Sequence, residues 1–126
     1  METENTVSIW IGNFDTQLDL DEFIDLKDDD EGEVVPSLFY NQYNIDIDDI
    51  DDYLIEKEVF ETSFTNLFDM LKGASYDNII VNNLKQKGIN PNIAPNNTVI
   101  LIYNYQFDSN VIRTINTEFI ATVKYR

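Results

Sequence analysis

The sequence predicts an α+β fold: a single domain with an antiparallel β-sheet of about four to five strands and about three to four helices packed on it. Three observations carry that prediction. Stripes of apolar residues at helical spacing occupy the middle of the chain, with capping residues before them and glycine after. Runs of strand character concentrate towards the C-terminus around a continuous apolar stretch at 99–103. The 126 residues contain neither an internal repeat nor a low-complexity linker, so one domain spanning 1–126 is expected.

Residues 6–12 alternate Val7, Ile9 and Ile11 with Ser8 and Trp10, which reads as a strand of mixed burial ended by Gly12-Asn13. Trp10, flanked by isoleucines, is expected in the core. Asp15 or Thr16 then caps a helix whose Leu20, Phe23 and Ile24 fall at i, i+3, i+4 and which should end near Lys27. After Pro36, residues 37–43 predict a short helix offering Leu38, Phe39 and Tyr43. The stretch 45–54 fits either period and is taken as a turn or helical piece before a short strand at 53–59.

Phe64, Leu67, Phe68 and Leu71 form an i, i+3, i+4, i+7 stripe, capped by Thr62 or Ser63 and stopped at Gly73. A second helix is expected from Ser75 to Gly88, with Tyr76, Ile80 and Leu84 on one face. Residues 89–97, with Pro91 and Pro95 among asparagines, predict a connector. Residues 98–107 predict a central strand buried on both faces. A turn at 108–110 leads to antiparallel partners at 111–115 and 117–125, where Phe119, Ala121, Val123 and Tyr125 should share one face.

Composition narrows the chemistry. With no histidine and no cysteine, the chain offers no imidazole base, triad of the usual kind, thiolate nucleophile, disulfide or zinc-finger ligand set. Its four glycines are isolated, so no phosphate-cradling loop is present. Ser37 and Ser75 lack a histidine partner and read as caps or turn residues. Lys72 reads as a cation at a helix C-terminus. A calcium loop fails as well: aligning Gly32 with the loop glycine puts Lys27 and Leu38 at the end ligand positions. Neither enzymatic activity nor a cofactor nor a metal is expected.

The 24 acids and eight bases give a formal net charge of −16, which disfavours direct binding to nucleic acid or to an anionic membrane. The longest apolar run is short of the roughly 20 residues that span a bilayer, and the start is acidic, so neither a membrane segment nor an export signal is expected. The cytoplasm is the expected compartment. The charge is not evenly spread. Residues 1–61 hold 20 acids and two bases, net −18, whereas residues 62–126 hold four acids and six bases, net +2. Two runs dominate the acidic half: Asp28, Asp29, Asp30, Glu31 and Glu33, then Asp46, Asp48, Asp49, Asp51 and Asp52. Tyr40, Tyr43 and Tyr53 flank the second run and are candidate interface anchors, since tyrosine combines apolar area with a hydroxyl. Together these residues are the candidate surface for a basic protein partner, the acids speeding encounter and the aromatics slowing dissociation.

Several segments in order resemble the immunity protein 22 family of bacterial polymorphic-toxin systems. They are Ser8-Ile9-Trp10-Ile11-Gly12-Asn13-Phe14, the acidic stretch leading to Pro36-Ser37-Leu38-Phe39, Gly73-Ala74-Ser75-Tyr76, and residues 99–105. The resemblance covers nearly the whole chain and implies a cytoplasmic antidote that binds and blocks a cognate toxin domain, very often a nuclease. It offers no catalytic residues. Trp10, Pro36, Ser37, Phe39, Ser75 and Tyr76 match family-typical positions and are read as fold-determining, whereas the run 46–52 departs from the family. A rival reading, a DNA-mimic inhibitor of a DNA-binding protein of the anti-restriction kind, shares the charge argument; another is an acidic adaptor domain whose acids only confer solubility.

Overall fold

Two strands with nearly unbroken apolar sequence occupy the centre of the sheet, because only a strand covered on both faces can bury such a run. The computed structural model, which describes all 126 residues, has the order β1 (Glu2–Gly12), α1 (Gln17–Ile24), β2 (Lys27–Asp28), β3 (Val34–Val35), α2 (Leu38–Tyr43), β4 (Ile55–Asn66), α3 (Leu67–Leu71), α4 (Asp77–Gln86), β5 (Asn92–Tyr105) and β6 (Thr117–Lys124). Two 3-10 turns, Ile47–Asp49 and Asp52–Leu54, lie between α2 and β4. The main sheet is wholly antiparallel in the order β4-β5-β1-β6, and β2 and β3 form a separate small hairpin. This is the predicted single α+β domain.

Alternation along β1 and β5 divides the interior into two cores. Val7, Ile9 and Ile11 share a face with Val99, Leu101 and Tyr103, covered by Leu67, Met70 and Leu71 of α3 and Ile80 and Leu84 of α4. Trp10, Ile100 and Ile102 point to the other face, covered by Leu20, Phe23 and Ile24 of α1 and Phe39, Tyr40 and Tyr43 of α2. Ser8 also lies on this second face, fully buried. Its hydroxyl donates to Tyr105 O at 2.8 Å and accepts from the Phe107 N–H at 3.0 Å, leaving the Thr122 hydroxyl, 2.7 Å away, to donate.

Several expectations are corrected. β1 begins at Glu2 rather than at residue 6. The helix expected from Thr62 or Ser63 is instead strand β4 as far as Asn66, whose side chain caps the short α3 by accepting from the N–H groups of Phe68 and Asp69. The expected connector at 89–97 is largely the first part of β5. Pro95 is tolerated there because β1 has already ended: Gly12 opposite Thr98 is the last β1–β5 pair, and the β4–β5 ladder is irregular between Phe64 and Asn66. Residues 111–115 make no strand, contributing one isolated bridge, Arg113 with Glu118. α4 begins at Asp77, two residues later than expected, and Tyr76 precedes it in the left-handed region, φ 59° and ψ 26°.

A bulge in β6 explains one further difference. Ile9 faces Ala121 while Trp10 faces Phe119, so Ile120 is an extra residue and the strand reverses its faces across it. Phe119 therefore joins the Trp10 side, while Ala121, Val123 and Tyr125 stay with the α3/α4 side. Gly12 has a tight neighbourhood at the same end of the sheet: an added Cβ would collide with the Asn116 carbonyl oxygen.

Both sheet edges are protected against strand addition. On β4, the Gln17 side chain accepts from Val59 N at 2.9 Å and reaches Lys57 O at 3.4 Å, imitating a neighbouring strand. On β6, Asn83 of α4 and Lys87, its C-cap, donate to the carbonyls of Lys124 and Thr122, and Phe119 N–H donates to Ile112 O.

Candidate functional site

The first acidic run is the tip of the β2–β3 hairpin, and residues 28–33 are all exposed. Its acids are not equivalent. Asp29 shapes the tip: its Oδ1 accepts from the N–H groups of Glu31 and Glu33 at 2.9 and 3.0 Å, and Gly32 supplies the positive φ of 83°. Asp28, Asp30, Glu31 and Glu33 form no ion pair, so their charges face water.

The second run is wound into the two 3-10 turns. Asp46 caps the first by accepting from Asp48 N–H at 2.9 Å, and Asp51 caps the second by accepting from Tyr53 N–H at 3.1 Å. Asp49 lies 3.8 Å from the N-terminal ammonium group. Asp48 and Asp52 are exposed and unpaired. Leu26, just before the first run, and Ile47 and Ile50, within the second, pack on the α1/α2-side core, which tethers both runs to one layer. No hydrogen bond or ion pair joins the two runs directly.

Tyr40 and Tyr43 require correction as surface anchors, because they are 1% and 0% exposed. The short α2 turns both rings inward, where Phe39 meets Tyr40 at 5.3 Å and Tyr43 at 5.2 Å between ring centroids. Burial pushes the Tyr40 hydroxyl well above the ordinary phenol range, with the charges of Asp25 and Asp52 adding to it. Tyr43 is also raised by burial, partly offset by hydrogen bonding with Thr117 and Thr114. Tyr53 is different: it is 91% exposed.

Lys57 pairs with both Asp21 and Asp25 at 3.1 Å. Burial pulls its ammonium group down, but the hydrogen bonds and charges of the two carboxylates outweigh that and leave it raised. Asp21 is correspondingly lowered, chiefly by the Gln17 hydrogen bond against the cost of burial, with Lys57 helping. Lys57 is therefore committed within the acidic half and neutralises little of either run.

Next to Tyr53, the tertiary structure assembles a cavity of about 160 Å³ that sequence reasoning did not find. Tyr53, Leu54, Glu56, Tyr76, Tyr103 and Tyr125 contribute to its lining. Tyr76 and Tyr103 each lie 4.9 Å from Tyr125 between ring centroids, and 6.2 Å from one another. Glu56 accepts from the Tyr103 hydroxyl and from Ser75 N–H, and the Tyr103 hydroxyl also lies 3.0 Å from Ser75 O. Burial, followed by the hydrogen bond to Glu56, holds the Tyr103 phenol far above its ordinary range. These residues come from four distant segments. No local pattern marks them, since the sequence offers Ser75 as the helix cap and only the fold puts Tyr76 at the N-cap.

No three of the carboxylates converge in a way that could hold a metal ion. No helix is long and apolar enough to cross a membrane.

The fold and its surface thus define an acidic α+β domain whose four-stranded sheet carries helices on both faces. The chain belongs to the immunity protein 22 family, whose sequence model matches residues 7–126. That membership makes it an immunity protein, with a cognate toxin as its partner. No curated protein and no solved structure matches the chain.

Proposed function

We propose that the protein neutralises a nuclease toxin by presenting an acidic face, built on residues 28–33 and 46–52, to the toxin's basic substrate cleft. The carrying observation is the concentration of unpaired, exposed acids on the hairpin tip and the two 3-10 turns, tethered to the α1/α2 layer, in a half-chain of net charge −18. A nuclease must offer cations to phosphate groups, and the same cations attract a carboxylate surface. Steering of this kind raises association rates well above the neutral level of roughly 10⁵–10⁶ M⁻¹s⁻¹. The encounter is cytoplasmic in this reading, since a nuclease acts where nucleic acid is. Tyr53 is the exposed aromatic of the face, while Tyr40 and Tyr43 support it from beneath.

The internal roles of the acids choose the test. Asp29, Asp46 and Asp51 hold turns, so the informative changes are Asp30→Lys, Glu31→Lys, Glu33→Lys, Asp48→Lys and Asp52→Lys. Combined, they are expected to lower the association rate with the cognate toxin by about tenfold or more and to flatten its salt dependence. An unchanged rate and salt slope would mean that the toxin docks elsewhere.

A further inference from the structure

We propose that the cup formed by Tyr53, Tyr76, Tyr103, Tyr125 and Glu56 is a receptor for one cationic side chain, an arginine of the bound toxin. The identity of the occupant rests on the immunity reading above. The preference for a cation rests on the cup alone.

The lining dictates the charge. Tyrosine rings present electron-rich faces, and a carboxylate stands among them. A carboxylate offers about four acceptor positions, and Glu56 uses only part of that capacity on Tyr103 and Ser75. An anion would be repelled by Glu56 and by Asp51 and Asp52, the neighbours of Tyr53 in sequence. A neutral apolar group would strip water from Glu56 and return nothing. A guanidinium group both stacks on an aromatic ring and meets a carboxylate through its planar fork, which an ammonium group does less well. The volume suits a side-chain head: 160 Å³ corresponds to about five waters at roughly 30 Å³ each. Arg126, whose guanidinium lies 5.7 Å from the Tyr125 ring centroid, is not among the residues lining the cup.

Two features are costly unless the cup is used. Tyr76 is the only non-glycine residue other than asparagine with a positive φ; the remaining three are Asn5, Asn44 and Asn104. A bulky side chain in that conformation is strained, and such strain persists where the ring's position matters. Tyr53, 91% exposed, holds an aromatic ring in water at the rim. It also adjoins the second acidic run, in the same 3-10 turn as Asp52, so the cup continues the proposed toxin-facing surface and gives it a pocket of the sort in which interface anchors seat.

The test uses the whole 126-residue chain and acetylated, amidated arginine as probe, with the tyrosine ring protons followed by NMR. Arginine is expected to give saturable shifts at Tyr76, Tyr103 and Tyr125, the equivalent lysine probe weaker ones, and the uncharged citrulline probe none. Tyr76→Asn removes the ring but keeps a residue suited to the left-handed backbone, so it should fold normally and weaken arginine binding by about tenfold. Glu56→Gln should do the same with the side-chain shape retained. Equal response to citrulline, or no response to arginine, overturns the cation cup. In the toxin complex, Tyr76→Asn should speed dissociation about tenfold with association unchanged; an unaltered dissociation rate overturns the toxin arginine as occupant. The probe experiment contains no toxin, so its failure leaves the acidic-face reading standing. Conversely, charge reversals without effect on toxin association overturn that reading and leave the cup's cation preference intact.

Discussion

Trp10 shows how much a single position carries. It is the only tryptophan and is fully buried, with Phe39, Phe107 and Phe119 each at 5.2 Å and Tyr43 at 5.9 Å between ring centroids. All four contacts are edge-on, the arrangement that ring quadrupoles favour. Its indole N–H has no hydrogen-bond partner, so what the residue gives the core is shape and not a polar contact. Trp10→Ala is therefore expected to cost about 3–5 kcal/mol in urea unfolding. Trp10→Phe should cost clearly less, because it keeps an aromatic filler and removes the orphaned donor. A loss equal to that of alanine would show that the indole's full volume is required. Tyr40 and Tyr43 belong to the same aromatic core, which is why their proximity to the acids in sequence does not make them surface residues.

At the scale of elements, short irregularities decide which side chains meet. The single extra residue at Ile120 sends Phe119 to Trp10 and keeps Ala121, Val123 and Tyr125 beneath α3 and α4. A comparable irregularity separates Tyr103 from Tyr105, which lie in opposite cores with Asn104 at a φ of 57° between them. Asn104 Oδ1 accepts from Asn5 N–H at 3.0 Å and from the Tyr125 hydroxyl at 2.7 Å, fixing the distortion. Helix α3 has only five residues, so its entry cap matters more than propensity does. Asn66→Ala should lose about 1 kcal/mol and lower the melting temperature by about 4 °C, whereas Asn66→Asp should retain most of the stability. Equal melting temperatures for Asn66→Ala and the natural chain would mean that packing alone holds α3.

Charge and burial set the pH behaviour of the whole molecule. The exposed Arg113 is raised by its hydrogen bond to Glu118; the other raised groups are Lys57 and four tyrosines, Tyr40, Tyr43, Tyr103 and Tyr105, the last raised by burial with Asp108, Asp49 and Asp46 adding to it. A group raised on folding contributes stability that is complete below its unfolded value, here 10.0 for tyrosine and 10.5 for lysine, and lost as pH rises through the folded value. Asp21 is lowered, so its contribution is present above 3.8 and fades as pH falls through the folded value. Urea midpoints should therefore decline once pH passes about 10, with tyrosinate absorbance and near-ultraviolet circular dichroism changing together as the cores open. A midpoint that stays level to about pH 11 would contradict the burial of these phenols.

Local rules were enough for whatever depends on neighbours in sequence. The stripe at Leu20, Phe23 and Ile24, a cap at Asp15 or Thr16, the apolar run at 99–103 and the −18/+2 division of charge were legible because periodicity, capping and composition are local properties; the fold chose Thr16 as the cap. The same is true of the family resemblance, which residues 7–126 bear out. What only the tertiary structure decided was the pairing and the facing. Phe64 looked helical by spacing, yet it lies opposite Asn96 in a long ladder, and the proline-containing stretch before Thr98 became strand because β4 was there to receive it. Which acids are free and which hold turns was equally invisible, since Asp29 and Asp30 differ only in the backbone groups that folding brings to them. The cup is the extreme case: residues 53–56, 75–76, 103 and 125 have no local relation. Sequence sets each residue's preference for water, apolar surroundings and backbone angle, while the exchange of hydrogen bonds and the packing of rings across the sheet determine which preferences are met together.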